Sequence, residues 1–481
     1  MGQDTSLLLK INSYQLYALT QFQNAFSQKA SPVTPDDQIK IEECINRSPI
    51  GAFRIRLFLL CAICLIFDGF DVQSMGYVAP AITSDWGLPK AALGPVFSAG
   101  LLGLMLGALA FSVVADKLGR RPVIIWCTTF FSTCMLITPF AHDLFQLTIL
   151  RFITGLGLGA IQPNAMALAA EYSPGKIRTT IVMIISCGFT VGAALGGFVS
   201  AVLIAHFGWQ SVFYFGALLP LIVALLMYPL LPESLQFLIL KGNKQSTAVA
   251  WLRRIDSGTV ITDTARLTVD EPPARGMPIT ALFHDGRAAM TVLLWLVNFT
   301  NLIDLYSLSS WLPSVIQSSG LSESTAILAG ATLQTGGVVG TLLLGRIIDR
   351  YGFGTTMAAC FLLSVLTIAL IGQTSIGPVL LFAVIAMSGF CIIGGQPALN
   401  AFATNYYPTS LRATGVGWSL GIGRFGSVLG PLIGALLISQ KWSNSSLFIA
   451  AALPALISVI TVLGIALVSK RNAGRVNAMV A

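Results

Sequence analysis

Twelve runs of mostly apolar residues, each long enough to cross a lipid bilayer as a helix, dominate the 481-residue chain. They lie near 55–81, 91–115, 122–140, 144–170, 179–205, 211–231, 288–316, 324–348, 354–373, 376–403, 411–439 and 445–469. A hydrocarbon core about 30 Å thick, crossed at about 1.5 Å per residue, needs roughly 20 such residues. The expected fold is all-α and integral to a membrane. Charge content agrees: 10% of residues are charged, against about 25% in soluble proteins.

The formal net charge of +8 invites a nucleic-acid reading, so its distribution decides. With the amino terminus inside, 24 of the 28 Lys and Arg fall on the cytoplasmic side, two outside (Lys90 and Lys441) and two within spans (Arg151 and Arg424). That is the positive-inside pattern, and it places both ends in the cytoplasm. A nucleic-acid patch would gather those charges on one surface. No apolar run precedes Leu57, and Leu7-Leu8-Leu9 is too brief for a signal core, so no cleaved secretory signal is expected. Seven of the eight cysteines lie in spans, and Cys61-x-x-Cys64 sits in the first span without a βαβ context, so packing is the expected role.

The spans divide six and six around the longest interior loop. This gives a polar extension at 1–50, a first half at 51–231, a cytoplasmic linker at 232–287, a second half at 288–469 and a tail at 470–481. The halves repeat. Gly107 and Asp116 recur as Gly340 and Asp349, 233 residues on; Gln162, Pro163, Tyr172, Pro174 and Arg178 recur as Gln396, Pro397, Tyr406, Pro408 and Arg412, 234 residues on. Such agreement in register points to two halves of common fold around a site near mid-membrane. Pro163 and Pro397, at matching places, are expected to kink their helices.

An ionisable group at the centre of a span costs about 2.5–3.5 kcal/mol, so it calls for a partner or a wet cavity. Asp68, Asp71 and Gln73 lie in the first span, Arg151, Gln162 and Asn164 in the fourth, Asn298, Asn301 and Asp304 in the seventh, and Gln396 and Asn400 in the tenth. Only Gln334 and Arg424 fall elsewhere, so spans 1, 4, 7 and 10 are expected to face a common polar space. Asp68 and Asp71, three apart, share a helix face. Two carboxylates that close in low dielectric do not readily both ionise, which makes them candidates for carrying a proton. The alternative is that each is paired with Arg151 or Arg424 as structural glue. No G-x-x-x-x-G-K-[ST] sequence occurs, so an ion gradient rather than ATP is the expected energy source.

Asp116-Lys-Leu-Gly-Arg120-Arg121, with its weaker copy Asp349-Arg-Tyr-Gly, resembles the signature of the major facilitator superfamily over about residues 50–470. Asp68-Gly-Phe-Asp71, Arg151-Phe152, the Gly155-to-Asn164 stretch and Glu171-Tyr-Ser-Pro174 resemble, within it, the aromatic acid:proton symporters. The resemblance implies the major facilitator fold in two pseudo-symmetric halves, working without cofactor or metal as a monomer. It implies uptake of a benzoate-type acid with protons across a bacterial inner membrane. Proton coupling is expected at Asp68 and Asp71. Substrate binding is expected at Arg424, Arg151, Asp304, Gln162, Asn164, Asn298, Asn301, Gln396, Asn400, Tyr306, Trp311 and Phe70, although aromatic residues in spans more often serve packing. A cytoplasmic gate is expected from Asp116, Arg120, Arg121, Glu171, Arg178, Asp349 and Arg412, its charge pairs breaking when the inside opens. Pro232-Glu-Ser234 also resembles sugar porters, but Lys470-Arg-Asn472 after the last span departs from them. A porter or exporter of another organic anion and a non-transporting receptor are the rival readings; an enzyme is not expected.

Arg424, near the middle of its expected span, is too deep to snorkel. Its guanidinium is expected to alternate between an Asp of the first span and the substrate carboxylate. Replacing Arg424 with Lys is expected to cripple uptake while the variant inserts normally, as cell uptake and membrane immunoblots will show; normal uptake by Arg424→Lys would remove the idea.

Overall fold

A computed structural model describes residues 38–240, 244–255, 266–268, 279–373 and 377–480. Eleven helices are long and apolar enough to cross a membrane alone, and Ala52–Asp85 qualifies as the twelfth together with the short bent helix Ile41–Arg47 before it. In order, the spans are Ala52–Asp85, Lys90–Leu118, Arg120–Phe140, Leu144–Glu171, Arg178–Phe207, Gln210–Leu230, Ala288–Ser318, Glu323–Tyr351, Phe353–Ile371, Pro378–Tyr406, Thr409–Ser439 and Asn444–Val480. The expected spans fall on these helices with ends displaced by a few residues, except that the last runs on through the segment read as a separate tail.

The two halves pack alike. The first span packs on the fifth, the second on the fourth and the third on the sixth; the seventh packs on the eleventh, the eighth on the tenth and the ninth on the twelfth. Without a hydrophobic driving force in lipid, such close approach depends on small residues. A Cβ at Gly103, Gly107 or Gly155 would strike the carbonyl of Phe152, Leu156 or Gly100; at Gly336, Gly340 or Gly389 it would strike that of Ala386, Phe390 or Leu333. These contacts are the same three, carried across at 233 residues for the second span and 234 for the fourth. The first and seventh spans share the 233-residue register through their internal prolines, Pro80 and Pro313, and their last residues, Asp85 and Ser318. After the second and eighth spans the chain turns through Gly119 at φ 102° and Gly352 at φ 82°, a backbone region where a side chain is strained.

Pro163 and Pro397 behave differently. The fourth span breaks at Ala160 into Leu144–Gly159 and Ile161–Glu171, so Pro163 falls in the first turn of the second piece, where its missing N–H is tolerated. The tenth span runs unbroken with Pro397 inside it. A kink was expected in both, and the fourth alone is interrupted.

The polar extension before the first span is docked from Gln38 onward. Gln38–Lys40 pairs in parallel with linker residues Arg266–Thr268. The helix Ile41–Arg47 sits against the first half: Asn46 Oδ1 accepts from the Gly175 N–H at 2.6 Å, and Arg54 donates to Ile45 O at 2.9 Å. Its apolar side, Ile41 and Ile45, is buried.

Overpacking costs about 1–3 kcal/mol. Gly103→Leu is therefore expected to lower the thermal midpoint of the purified protein by several degrees, whereas Gly345→Leu, where a Cβ meets nothing within 4 Å, leaves it unchanged. Equal midpoints would contradict the packing.

Candidate functional site

The charged residues of the first and fourth spans meet inside the first half. Arg151 Nη1 donates to Asp71 Oδ1 at 2.9 Å and Nη2 to Asp71 Oδ2 at 3.2 Å, with a third bond to the Asp71 carbonyl at 3.2 Å. Both side chains are essentially buried, at 0% and 5% exposure. The forked pairing settles which arginine meets Asp71: it is Arg151, not Arg424. Asp68, one turn earlier, is buried too, and its Oδ1 has no hydrogen-bond partner.

In the second half the polar residues form a chain of amides. Asn301 Nδ2 donates to Gln396 Oε1 at 2.7 Å, and Gln396 Nε2 donates to Asn298 Oδ1 at 2.9 Å and to Asn400 Oδ1 at 3.3 Å. Asn298 donates in turn to Ser419 Oγ at 2.9 Å. Gln396 and Asn400 are half-buried, whereas Asn298 and Asn301 are fully buried.

Arg424 bridges the halves through neutral groups. It donates to the Tyr306 hydroxyl at 3.3 Å and to Gln162 Oε1 at 3.4 Å, and it is half-buried. The expected contact with an Asp of the first span is replaced by these two. Beside them, Gln73, Arg151, Tyr306, Ser309 and Gly155 line a narrow cavity between the first, second, fourth and seventh spans.

Beyond the cavity, at the end of the bundle opposite the chain's termini, contacts join the halves. Gln73 Nε2 donates to Ser309 O at 2.7 Å, Gln334 Nε2 to Gln73 Oε1 at 3.1 Å, Ser98 to Val428 O at 2.8 Å and Lys90 to Ser314 O at 3.2 Å. Trp311 belongs to this seal. Its indole donates to Pro431 O at 3.0 Å and its ring meets Phe97 edge-on at 5.1 Å. It does not line the cavity. Two further expectations change in the same way. Phe70 is buried in the first half against Phe215, at 5.6 Å between centroids, and Asn164 donates to Ala160 O at 2.7 Å, across the break in its own helix. Asp304 is not among the cavity-lining residues either.

At the opposite end, the expected gate residues separate into two groups. Arg120 pairs with Glu171, whose other oxygen accepts from Ser234 Oγ at 2.7 Å. Glu233 Oε1 accepts the backbone N–H groups of Arg120, Arg121 and Ser234 at 2.8, 3.1 and 2.8 Å, and Tyr172 donates to the Glu233 carbonyl at 2.7 Å. Arg121 also donates to Tyr228 O. This cluster ties the first half to the start of the linker, so it is not a set of pairs between halves. Asp116, Asp349 and Arg412 are exposed and belong to no ion pair among the described residues. Arg178 reaches Glu42 of the amino-terminal helix at 3.4 Å. Sequence reasoning missed Glu233, Ser234 and Glu42. The Pro-Glu-Ser sequence marked the first two, but it was weighed only as a likeness to sugar porters.

Removing one member of a buried ion pair strands the other, at a cost of about 3–5 kcal/mol, more than removing both. Arg151→Met is therefore expected to destabilise the purified protein more than Arg151→Met with Asp71→Asn, measured by thermal unfolding in one detergent. A double variant less stable than the single one would contradict the pairing.

The Major Facilitator Superfamily family model matches residues 61–289 and 294–479. The gallate transporter of Pseudomonas putida is 41% identical over 429 residues, covering 89% of this chain and 95% of that protein. The 4-hydroxybenzoate transporter PcaK of Pseudomonas aeruginosa is 38% identical, covering 92% and 100%, and the benzoate transport protein of Acinetobacter baylyi is 30% identical, covering 88% and 92%. Among solved structures, a partially occluded inward open conformation of the xylose transporter XylE from E. coli superposes with a TM-score of 0.68 at 16% identity, over 85% of this chain and 97% of that one, which is a likeness of fold. The chain is a multi-pass membrane protein of a transporter family rather than an enzyme: it belongs to the major facilitator superfamily, within the branch of aromatic acid porters.

Proposed function

We propose that the protein imports an aromatic carboxylate together with protons by alternating access, across a bacterial inner membrane with both termini in the cytoplasm. The observation that carries this reading is the position of Arg424. Its guanidinium meets the first half and the seventh span through the neutral Gln162 and Tyr306. An entering carboxylate there gains a charge-assisted, forked partner without displacing another carboxylate. Tyr306 offers both a hydroxyl and an aromatic face beside it. Arg151 lines the narrow cavity that Tyr306 shares, beside Arg424, but is occupied by Asp71, so it supplies positive potential and a rigid wall.

The relatives named for gallate, 4-hydroxybenzoate and benzoate support the choice of substrate class. The contacts at the far end support a state closed on the outer side and open toward the cytoplasm. In the alternate state Asp116, Asp349 and Arg412, exposed here, approach across the closing cytoplasmic end while the cluster of Arg120, Glu171 and Glu233 moves as one body. Asp68, with one carboxylate oxygen unpartnered one turn from the Asp71–Arg151 pair, is the first-half residue suited to take up a proton with the substrate. Neutralising it lowers the negative charge that an incoming anion faces.

Purified protein in liposomes tests this reading. With the membrane potential clamped, labelled 4-hydroxybenzoate is expected to accumulate when the outside is made acidic and to counterflow at equal pH; an aliphatic dicarboxylate is expected to do neither. Binding without accumulation would favour a receptor, and accumulation of the dicarboxylate alone would favour a porter of another organic anion.

A further inference from the structure

Asp304 stands out among the buried carboxylates. It lies in the middle of the seventh span at 1% exposure, and neither carboxylate oxygen has a hydrogen-bond partner. The 233-residue register of the first and seventh spans makes Asp304 the counterpart of Asp71, as Pro313 is of Pro80. The 234-residue register of the fourth and tenth spans carries Arg151 onto Ile385, a fully buried hydrocarbon side chain. The second half therefore has the aspartate of the buried pair and lacks its arginine.

The surroundings supply no substitute. Residues of the same helix face one turn earlier touch the two neighbouring spans: Thr300 meets Ser458 of the twelfth at 2.7 Å, and Asn301 meets Ile392 O and Gln396 of the tenth. The tenth span carries no Asp, Glu, Lys, Arg or His, with Cys391 and Tyr406 its only titratable groups; the twelfth has none between Asn444 and Ser469. On the eleventh, Arg424 is engaged with Tyr306 and Gln162, and Arg412 lies in the first turn. On the eighth, Glu323, Arg346, Asp349, Arg350 and Tyr351 lie toward the helix ends. On the first, Asp71 is held by Arg151, Asp68 belongs to the other half, and Arg54, Arg56, Asp85, Cys61, Cys64 and Tyr77 complete the set.

The oxygen count points the same way. Asn301 commits its amide N–H groups to Ile392 O and Gln396, which leaves its Oδ1 buried and without a donor. Three buried acceptor oxygens on adjacent turns of one helix face thus have no donor. An isolated ionised carboxylate in such a place is costlier than a neutral one. A single added proton removes the charge and creates a donor beside Asn301.

We propose that Asp304 is a proton-binding site of the second half, distinct from the first-half aspartates, and that it exchanges its proton with water admitted along the polar face marked by Asn301, Gln396 and Asn400, the last two of which are only half-buried. Asp71 is held in a forked bond by Arg151, while its counterpart, without such a partner, is free to exchange a proton as the halves rock and the cavity changes sides. This inference rests on the proton-coupled reading above.

The test uses full-length protein in liposomes with the membrane potential clamped. A gradient of one pH unit supports up to about tenfold accumulation for each coupled proton. Asp304→Asn is expected to lose about that factor in accumulated 4-hydroxybenzoate, while counterflow at equal pH stays within about twofold of wild type. Asp304→Glu, which keeps an acid there, is expected to retain coupling with a displaced pH profile. Infrared spectra of the same samples are expected to show a protonated-carboxyl band at neutral pH in wild type that Asp304→Asn lacks. If wild type accumulates nothing, the parent reading fails and takes the coupling role with it. If wild type accumulates and Asp304→Asn does so equally, the assignment of Asp304 fails while the parent reading stands. Accumulation driven by sodium and lost in Asp304→Asn would make the site a cation site and overturn the proton assignment. Should Asp304→Asn not insert, the infrared comparison of wild type with Asp304→Glu still decides, since absence of a displaced carboxyl band would overturn the proposal.

Discussion

A charge in hydrocarbon must be neutralised, and the way each half of this molecule meets that demand organises the rest. In the first half the answer is the forked bond between Arg151 and Asp71, sealed at 5% and 0% exposure. Such a pair adds little net stability against a hydrocarbon alternative of the same shape. Its effect is to fix geometry: it ties the first span to the fourth beside the cavity and keeps a guanidinium in the cavity wall. In the second half the same helical position carries an aspartate without an arginine, and neutral amides take over the polar contacts.

Around that difference, the scaffold is close to twofold symmetric. Glycine-to-carbonyl contacts recur at a constant separation in the two halves, so each bundle is stiff at its second-to-fourth and eighth-to-tenth packing. Stiff bundles joined by a modest number of polar contacts at one end are suited to rocking as bodies. The contacts that hold the far end shut involve neutral groups and backbone carbonyls, apart from Lys90, and a neutral hydrogen bond contributes only about 0.5–1.5 kcal/mol net. Closing and opening that end therefore lies within reach of a ligand's binding energy. At the other end the amino-terminal helix and the cluster around Glu233 brace the first half from below, on one side of the moving boundary.

Much of the scaffold was legible in the sequence because lipid imposes a length and a polarity on every span. The placement of Asp68, Asp71, Arg151, Gln396 and Asn400 on three repeat-related spans could be read for the same reason: burial of a polar group needs a cause. Which partner each finds could not. Asp71 and Arg151 are 80 residues apart in the chain, and Arg424 was an equally good partner by charge alone. Phe70 and Trp311 lie near polar residues in sequence but turn into packing, since a helix face is assigned only by the neighbours it meets. Asp304 shows the same limit. Its register with Asp71, and that of Ile385 with Arg151, were present in the sequence, yet the lack of any hydrogen-bond partner for its carboxylate depends on the neighbours that the fold supplies. The docked segment from Gln38 to Ser48 was illegible because its apolar residues, Ile41 and Ile45, are too few to form a pattern.

The central claim is that an organic anion binds between the halves on a guanidinium whose hydrogen bonds go to neutral groups rather than to a protein carboxylate. A structure of the protein with 4-hydroxybenzoate bound tests it most directly. The account predicts the carboxylate within hydrogen-bond distance of Arg424, with Tyr306 and Gln162 beside it and the Asp71–Arg151 pair intact. Ligand seated elsewhere, or a carboxylate that breaks that pair to take Arg151 while Arg424 stays on its neutral partners, would contradict it.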